Sequence, residues 1–245
     1  MADPGLTRAR QVAVAPRPER NWALFLDLDG TLLDIAARPD AVVVPHDLAA
    51  DLEAASRILG GALAIVSGRQ LGDLDRLLAP LRLPSAGEHG AIIRLPDGLH
   101  DQTAVRVPLA WVEALKELET LCPGVLVEVK SHNVVAHYRN APAYEARVRR
   151  LVCELASHNL GFEVLEAKMA FEIRPRSVSK GRAVDCLMAV DPFCGRVPVF
   201  VGDDVTDRDG FAAALARGGL ALDVAEVFAG RPKEVRAWLK RFAEI

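Results

Sequence analysis

Residues 22–34, WALFLDLDGTLLD, limit what this chain can become more than any other segment. The run from Trp22 to Leu28 is apolar until Asp27 interrupts it, as in a strand buried on both faces of a parallel sheet. Asp27 and Asp29 stand at its carboxyl end, one residue apart, before Gly30 and Thr31. Carboxylates are costly at the end of a buried strand unless something pairs with them. Residues two apart on an extended chain project to the same side. Both acids therefore face one crevice beyond the strand end, where open α/β sheets bind ligands.

The segment VPVFVGDDVTD, residues 197–207, repeats the arrangement with Asp203, Asp204 and Asp207. If the two strands are neighbours, four or five carboxylates converge, each with a usual pKa of about 4. Such crowding calls for a cation. An all-oxygen set suits Mg²⁺, which keeps several waters and shares its shell with a substrate phosphate. A metal-held phosphate also accounts for the surroundings. Gly30 and Thr31 offer backbone N–H groups to phosphate oxygens. Ser67 ends a second buried strand, ALAIVSGR, and can hydrogen-bond the phosphoryl group. Lys180, just before a helix, can neutralise charge between carboxylate and phosphate; a cation there is otherwise disfavoured by the helix dipole. Asp27 can then attack phosphorus, while Asp29 protonates the leaving oxygen and later activates water.

The rest of the chain fits that picture. Leu48, Leu52, Ala55 and Leu59 keep helical spacing before Gly60-Gly61, and Leu71, Leu74, Leu77 and Leu78 mark another helix. Strand–helix alternation predicts a doubly wound, Rossmann-like parallel α/β sheet. The pattern changes over residues 104–177, which read as helix, two strands, helix, two strands: an inserted α+β unit. Its first two strands, in VLVEVKSHNVVAHYR, meet at Ser131-His132-Asn133, which looks like a hairpin turn. The α/β pattern returns from 178 to 245, so the core is expected at 21–103 and 178–245. Residues 1–20, with Pro4, Gly5, Pro16 and Pro18, read as a loose leader without a secretory h-region.

Composition excludes several classes. A net charge of −3 argues against nucleic acid as a main partner. No apolar run reaches the ~20 residues of a membrane span. The four cysteines form no CxxC pair and read as reduced thiols of a cytoplasmic protein.

Taken together, DLDGTL, SGR, KG and GDDVTD occur in the order and at the strand ends of the haloacid-dehalogenase-like phosphatases, which the chain resembles across nearly its whole ordered length. The insert is similar to the type-2 cap of that superfamily. Within it, GEHGA at 87–91, VEVKSHNVVAHYR and FEIRP make the chain resemble the trehalose-6-phosphate phosphatases. The resemblance implies Mg²⁺-dependent hydrolysis of trehalose 6-phosphate through an aspartyl phosphate, in functional partnership with a trehalose-6-phosphate synthase. It implies Asp27 as nucleophile and Asp29 as acid/base. The metal would be held by Asp27, the Asp29 carbonyl and Asp203, with Asp204 or Asp207 in or near the shell. The SGR motif brings in Gly68 beside Ser67. Arg69, His89, Glu128, Lys130 and Glu172 would contact phosphate or sugar. One departure is Arg208, where the family often has Glu after GDDxTD; little loss of metal binding is expected from it.

Other uses stay open at this point. Asp204 and Asp207 can each cap the helix that begins near Thr206. Glu128 with Lys130, and Glu172 with Arg174, share strand faces that suit either solvated ion pairs or a sugar. His137 reads as structural or as a cap-surface residue. Another capped sugar phosphatase, acting on sucrose phosphate or mannosyl-phosphoglycerate, and a sugar-phosphate sensor without turnover are the rival functions.

Overall fold

The computed structural model describes residues 14–36, 41–98, 100–167 and 169–245. In chain order the strands are β1 (Trp22–Leu26), β2 (Leu63–Val66), β3 (Ser85–Gly87), β4 (Ile92–Arg94), β5 (His100–Gln102), β6 (Leu126–Val129), β7 (Val134–His137), β8 (Phe162–Ala167), β9 (Ala170–Pro175), β10 (Val197–Gly202) and β11 (Leu220–Asp223). The helices are α1 (Leu48–Ile58), α2 (Leu71–Leu77), α3 (Leu109–Leu121), α4 (Glu145–Ser157), α5 (Lys180–Met188), α6 (Arg208–Ala216), α7 (Val224–Val227) and α8 (Pro232–Lys240). The chain divides into two compact units, one running to Asp101 and resuming at Ser179, the other Gln102–Val178.

The first unit is built on a seven-stranded sheet of order β11-β10-β1-β2-β3-β4-β5. Pairing is parallel from β11 through β3, and β4 returns antiparallel to β3. The α/β expectation therefore holds. The chain leaves β1 for β2 on one side, while β10 and β11 lie on the other, which puts the topological switch point at β1. Leu26 pairs with Val201, and Asp27 N–H donates to Val201 O at 3.0 Å. The carboxyl ends of β1 and β10, with their two acidic runs, are therefore adjacent. All five residues of β1 are buried, as its unbroken apolar run requires. Phe25 stacks on Phe193, and Phe200 of β10 meets Phe211 edge-on.

The leader is only partly described, residues 1–13 lying outside the described residues. From Pro16 on it is not loose. Trp238 Nε1 donates to Pro16 O at 2.8 Å, Pro18 is buried, and Arg196 Nη1 donates to Arg20 O at 2.7 Å.

The second unit is a four-stranded sheet of order β6-β7-β9-β8 beside α3 and α4. Val127, Ala136, Phe171 and Ile173 on one sheet face join Leu115, Val148 and Val152 in its own core. The exposed edge at β6 is blunted from α3. Glu119 accepts from Val127 N–H at 2.7 Å and Lys116 donates to Val127 O at 2.8 Å, which denies that edge to another strand. Among the described residues, no helix is long and apolar enough to cross a membrane.

Gly210 shows how tightly β10 is held. Alanine is favoured over glycine inside a helix by ~1 kcal/mol. A Cβ on Gly210, however, would lie 2.4 Å from the buried Phe200 ring. Overpacking of that kind costs about 1–3 kcal/mol, so the clash outweighs the propensity. Thermal unfolding of Gly210→Ala should show a lower Tm than wild type; a raised Tm would mean that the ring yields freely.

Candidate active site

Asp27 lies just past β1, 4% exposed. Its Oδ1 accepts from Lys180 Nζ at 2.6 Å. The same ammonium donates to Asp207 Oδ1 at 2.6 Å. Lys180 itself is 2% exposed and opens α5, whose N-cap Ser179 accepts from Arg182 N–H. The helix-start lysine is thus buried between two carboxylates. Burial alone would lower its pKa, but the charges of Asp27 and Asp207 raise it.

Thr31, fully buried, holds its hydroxyl 3.2 Å from Asp27 Oδ2 and 3.1 Å from Asp203 Oδ1. Its single hydrogen is shared between two acids from adjacent strand ends. Asp207 uses its second oxygen to accept from the N–H groups of Asp203 and Asp204, at 3.0 and 2.9 Å. Asp204 is exposed and caps the short turn Val205–Asp207, accepting from Val205 N–H at 2.7 Å. Asp204 and Asp207 thus share one capping box, and Asp207 carries the lysine as well.

Among the described residues, Asp27, Asp203 and Asp207 each bring an oxygen within 4.8 Å of the others, close enough to hold a metal ion. Three carboxylates with one ammonium leave two formal negative charges, which a divalent cation would balance. Burial raises the Asp27 carboxyl well above the ordinary range, against the pull of Lys180. Burial, and then the Asp207 charge, pushes Asp203 up to about 6. Both shifts come chiefly from burial, with the neighbouring carboxylates adding to it. Gly30 permits the convergence. Its φ is +84°, and a Cβ there would fall 2.1 Å from Asp203 Oδ2.

Asp29 stands apart from the three. Arg69 Nε and Nη2 donate to its two oxygens at 2.6 and 2.7 Å, a bidentate fork. Sequence reading put Arg69 toward the phosphate or sugar and did not foresee this partner. Arg69 N–H in turn donates to Ser67 Oγ at 3.2 Å, which leaves the buried Ser67 hydroxyl its own hydrogen to give.

His89 is held against the Ser67-Gly68 turn. Its N–H donates to Ser67 O at 2.9 Å, and a Cβ on Gly68 would lie 2.5 Å from the His89 ring. Glu88 and His89 both take positive φ, 49° and 57°, a conformation that costs non-glycine residues energy and that clusters at functional sites. Arg182 Nη1 donates to Gly90 O at 2.7 Å and ties this loop to α5.

Glu128, Lys130 and Glu172 lie in the second unit. Strand alternation puts them on the sheet face turned away from its core. His137 Nε2 lies 3.0 Å from Glu128 Oε2, and Lys130 Nζ lies 3.9 Å from Glu128 Oε1. The His137 hydrogen bond holds the Glu128 carboxyl below its usual range. Asn133 Nδ2 donates to Glu172 Oε1. Sequence reading takes His137 as structural or cap-surface and Asn133 as part of a turn, and foresees neither bond, although alternation through Asn133, Val135 and His137 carries the signal. Arg208 is exposed at the start of α6.

A family model described as trehalose-phosphatase matches residues 25–236. A probable trehalose-phosphate phosphatase of Sinorhizobium fredii is 44% identical over 207 residues, 83% of this chain and 78% of that protein. The trehalose-6-phosphate phosphatase of Escherichia coli is 36% identical over 219 residues, 85% of this chain and 79% of that one. Among solved structures, the C-terminal domain of C. albicans trehalose-6-phosphate phosphatase superposes with a TM-score of 0.74 at 20% identity, covering 92% of this chain and 93% of that one, a likeness of fold.

The charge excess has a consequence for stability. Asp203 ordinarily titrates at 3.8 and here near 6. Between those values the unfolded chain holds fewer protons than the native one, so stability falls as pH rises. In chelator-treated protein, the stability of wild type relative to Asp203→Asn should drop from pH 4 to pH 6 and then level off. Urea unfolding across that window checks it; a difference that rises with pH would refute the raised pKa.

Proposed function

The chain belongs to the trehalose-phosphatase family, and from that premise we propose that it hydrolyses trehalose 6-phosphate to trehalose and phosphate through an aspartyl phosphate on Asp27. The observation that carries the chemistry is the buried Asp27–Lys180–Asp207 chain beside Asp203. Asp27 attacks phosphorus; its oxygen forms the new P–O bond as the bond to the sugar oxygen breaks. Lys180 and Thr31 fix the Asp27 carboxylate before attack, so little reorganisation remains to be made in the transition state.

Asp29 gives a proton to the departing sugar oxygen, then takes one from the water that attacks the aspartyl phosphate. To do so it must free an oxygen from the Arg69 fork. The phosphate dianion of the substrate is a competing acceptor for that guanidinium, so substrate arrival and release of Asp29 are coupled. Ser67, Gly68 and the N–H of Thr31 hold the remaining phosphoryl oxygens, with His89 beside them; the Gly30 N–H, expected from sequence to join them, donates instead to Leu33 O at 2.7 Å.

Asp27 and Asp203, with Asp207 adjoining, would hold Mg²⁺, and by family resemblance the Asp29 carbonyl joins them. The donor set fits: oxygens only, and two net negative charges. When bound, Mg²⁺ supplies positive charge to the phosphoryl oxygens. Asp204 serves the turn rather than the ion. Glu128, Lys130 and Glu172 recognise the sugar. All four cysteines are free thiols, in keeping with a cytoplasmic enzyme acting on the product of a trehalose-6-phosphate synthase.

The test is phosphate release across a panel of disaccharide and monosaccharide phosphates with Mg²⁺, on wild type and Asp27→Asn. Trehalose 6-phosphate should be preferred, EDTA should stop turnover, and Asp27→Asn should lose all substrates together. Glu128→Ala or Glu172→Ala should lower kcat/KM for trehalose 6-phosphate roughly ten- to a hundredfold, as loss of a charged hydrogen bond does, and for p-nitrophenyl phosphate far less. Full turnover by Asp27→Asn would remove the assigned nucleophile.

A further inference from the structure

The second unit carries polar groups that the reading above leaves without a use. Glu128, Val135, Glu172 and Leu165 stand opposite one another across the sheet: Glu128 pairs with Val135, Val135 with Glu172, and Glu172 with Leu165. Two carboxylates are therefore set two strand spacings apart, about 9–10 Å between their Cα atoms. Val135 lies between them. On either side of Val135, at positions of the same parity, come Asn133 and His137. Asn133 Nδ2 donates to Glu172, and His137 Nε2 bonds Glu128 at 3.0 Å. Each carboxylate on this face is thus gripped by one side chain of the same central segment.

Stability does not account for Asn133. It is 1% exposed, and its Oδ1 is buried with no hydrogen-bond partner. A buried acceptor left unmet is a penalty that an apolar residue would avoid. What the amide gains is the bond to Glu172, itself 3% exposed on a sheet face away from the core. Nor is His137 a packing residue, since its side chain is 28% exposed and points to a carboxylate. A free glutamate side chain samples many rotamers and must lose them on binding a hydroxyl. One already held loses fewer, and affinity rises by that difference.

We propose that Asn133 and His137 are positioning residues for sugar recognition, which preset the Glu172 and Glu128 carboxylates as a matched pair of hydroxyl acceptors for the two rings of a disaccharide phosphate. This rests on the reading of the enzyme as a trehalose 6-phosphate phosphatase. Neither residue touches the reacting phosphorus in this scheme. Each acts through its own carboxylate, so its effect should vanish when that carboxylate is gone.

The experiment is a pair of double-mutant cycles with Mg²⁺ present: Asn133→Ala with Glu172→Ala, and His137→Ala with Glu128→Ala. Kinetics are read on trehalose 6-phosphate and on p-nitrophenyl phosphate, which has no sugar. Each positioning variant should lower kcat/KM for trehalose 6-phosphate about tenfold, equivalent to ~1.4 kcal/mol, chiefly through KM. Hydrolysis of p-nitrophenyl phosphate should stay within about twofold, and each double variant should be no worse than its carboxylate single. His137→Gln, which keeps a donor, should retain more activity than His137→Ala. Asn133→Ser serves if the buried Asn133→Ala fails to fold, with p-nitrophenyl phosphate turnover as the check on integrity. Additive losses in the doubles, equal losses on both substrates, or no loss on trehalose 6-phosphate would overturn the positioning role while leaving the function intact. A wild type without preference for trehalose 6-phosphate would overturn the functional reading and this proposal with it.

Discussion

Lys180 is the constraint on which the first unit turns. An ammonium 2% exposed is tolerable only between partners, and its two partners come from opposite ends of the chain, Asp27 after β1 and Asp207 after β10. Removing a charge from water costs several kcal/mol even after relaxation, and good geometry at best offsets it. Hydrophobic side chains would fill the same space more cheaply. The arrangement therefore speaks for use rather than stability, and its charge says what use. The lysine neutralises one of three convergent carboxylates and leaves a deficit that burial magnifies, visible in the raised Asp27 and Asp203. A divalent cation would meet that deficit, whereas a phosphate dianion alone would deepen it, so anion binding here calls for the cation first.

The sheet order follows from this need. Parallel neighbours β1 and β10 place their acidic ends together only because the chain crosses to the far side of β1 before building β10 and β11. The two segments were 170 or so residues apart in sequence, yet Thr31 reaches both Asp27 and Asp203 with one hydroxyl. Gly30 then becomes a steric requirement, for nothing larger than hydrogen fits between the β1 turn and Asp203. Asp207 locks the other side. It holds the lysine with one oxygen and two backbone N–H groups of its own turn with the other, so the loop that carries Asp203 cannot drift without releasing Lys180.

Much of this was legible in the sequence because buried parallel strands are unbroken apolar runs and their acidic ends are conspicuous. β1, β2 and β10 and the helices after them were all anticipated. The strands β3, β4 and β5 were not, each being three residues long and too short for periodicity to register, and β3 ends in glycine. α7 is a single turn held by its Asp223 cap, again below the reach of a helical pattern. At the site, the acids and Lys180 could be named, but the bond between Arg69 and Asp29 could not, since it joins two strand ends through side chains of free orientation. The hairpin at Ser131-His132-Asn133 was read correctly as a turn, with Lys130 N–H bonded to Asn133 O at 2.9 Å. Turn residues are expected in water, however, and His132 and Asn133 are each 1% exposed. Sequence gives turn chemistry and says little about what lies above the turn.

Lys180 is the first residue of α5 and Arg208 the first of α6, where the dipole disfavours a cation, and comparing them separates chemistry from accident. By sequence alone the two misfits look alike, each worth ~0.3–1 kcal/mol against the helix. Burial distinguishes them. Lys180 is enclosed, its charge unscreened, and two carboxylates at 2.6 Å outweigh the dipole many times over. Arg208 is exposed, where water and salt screen its unfavourable place within about a Debye length. The carboxylate that the family often has at this position would complement the helix start, and this chain forgoes it. The capping box of Asp204 and Asp207 already satisfies the turn immediately before, so the helix starts without that help. A departure from family pattern at an exposed helix end, one residue past a fully engaged Asp207, can therefore persist without reaching the clustered oxygens of Asp27 and Asp203.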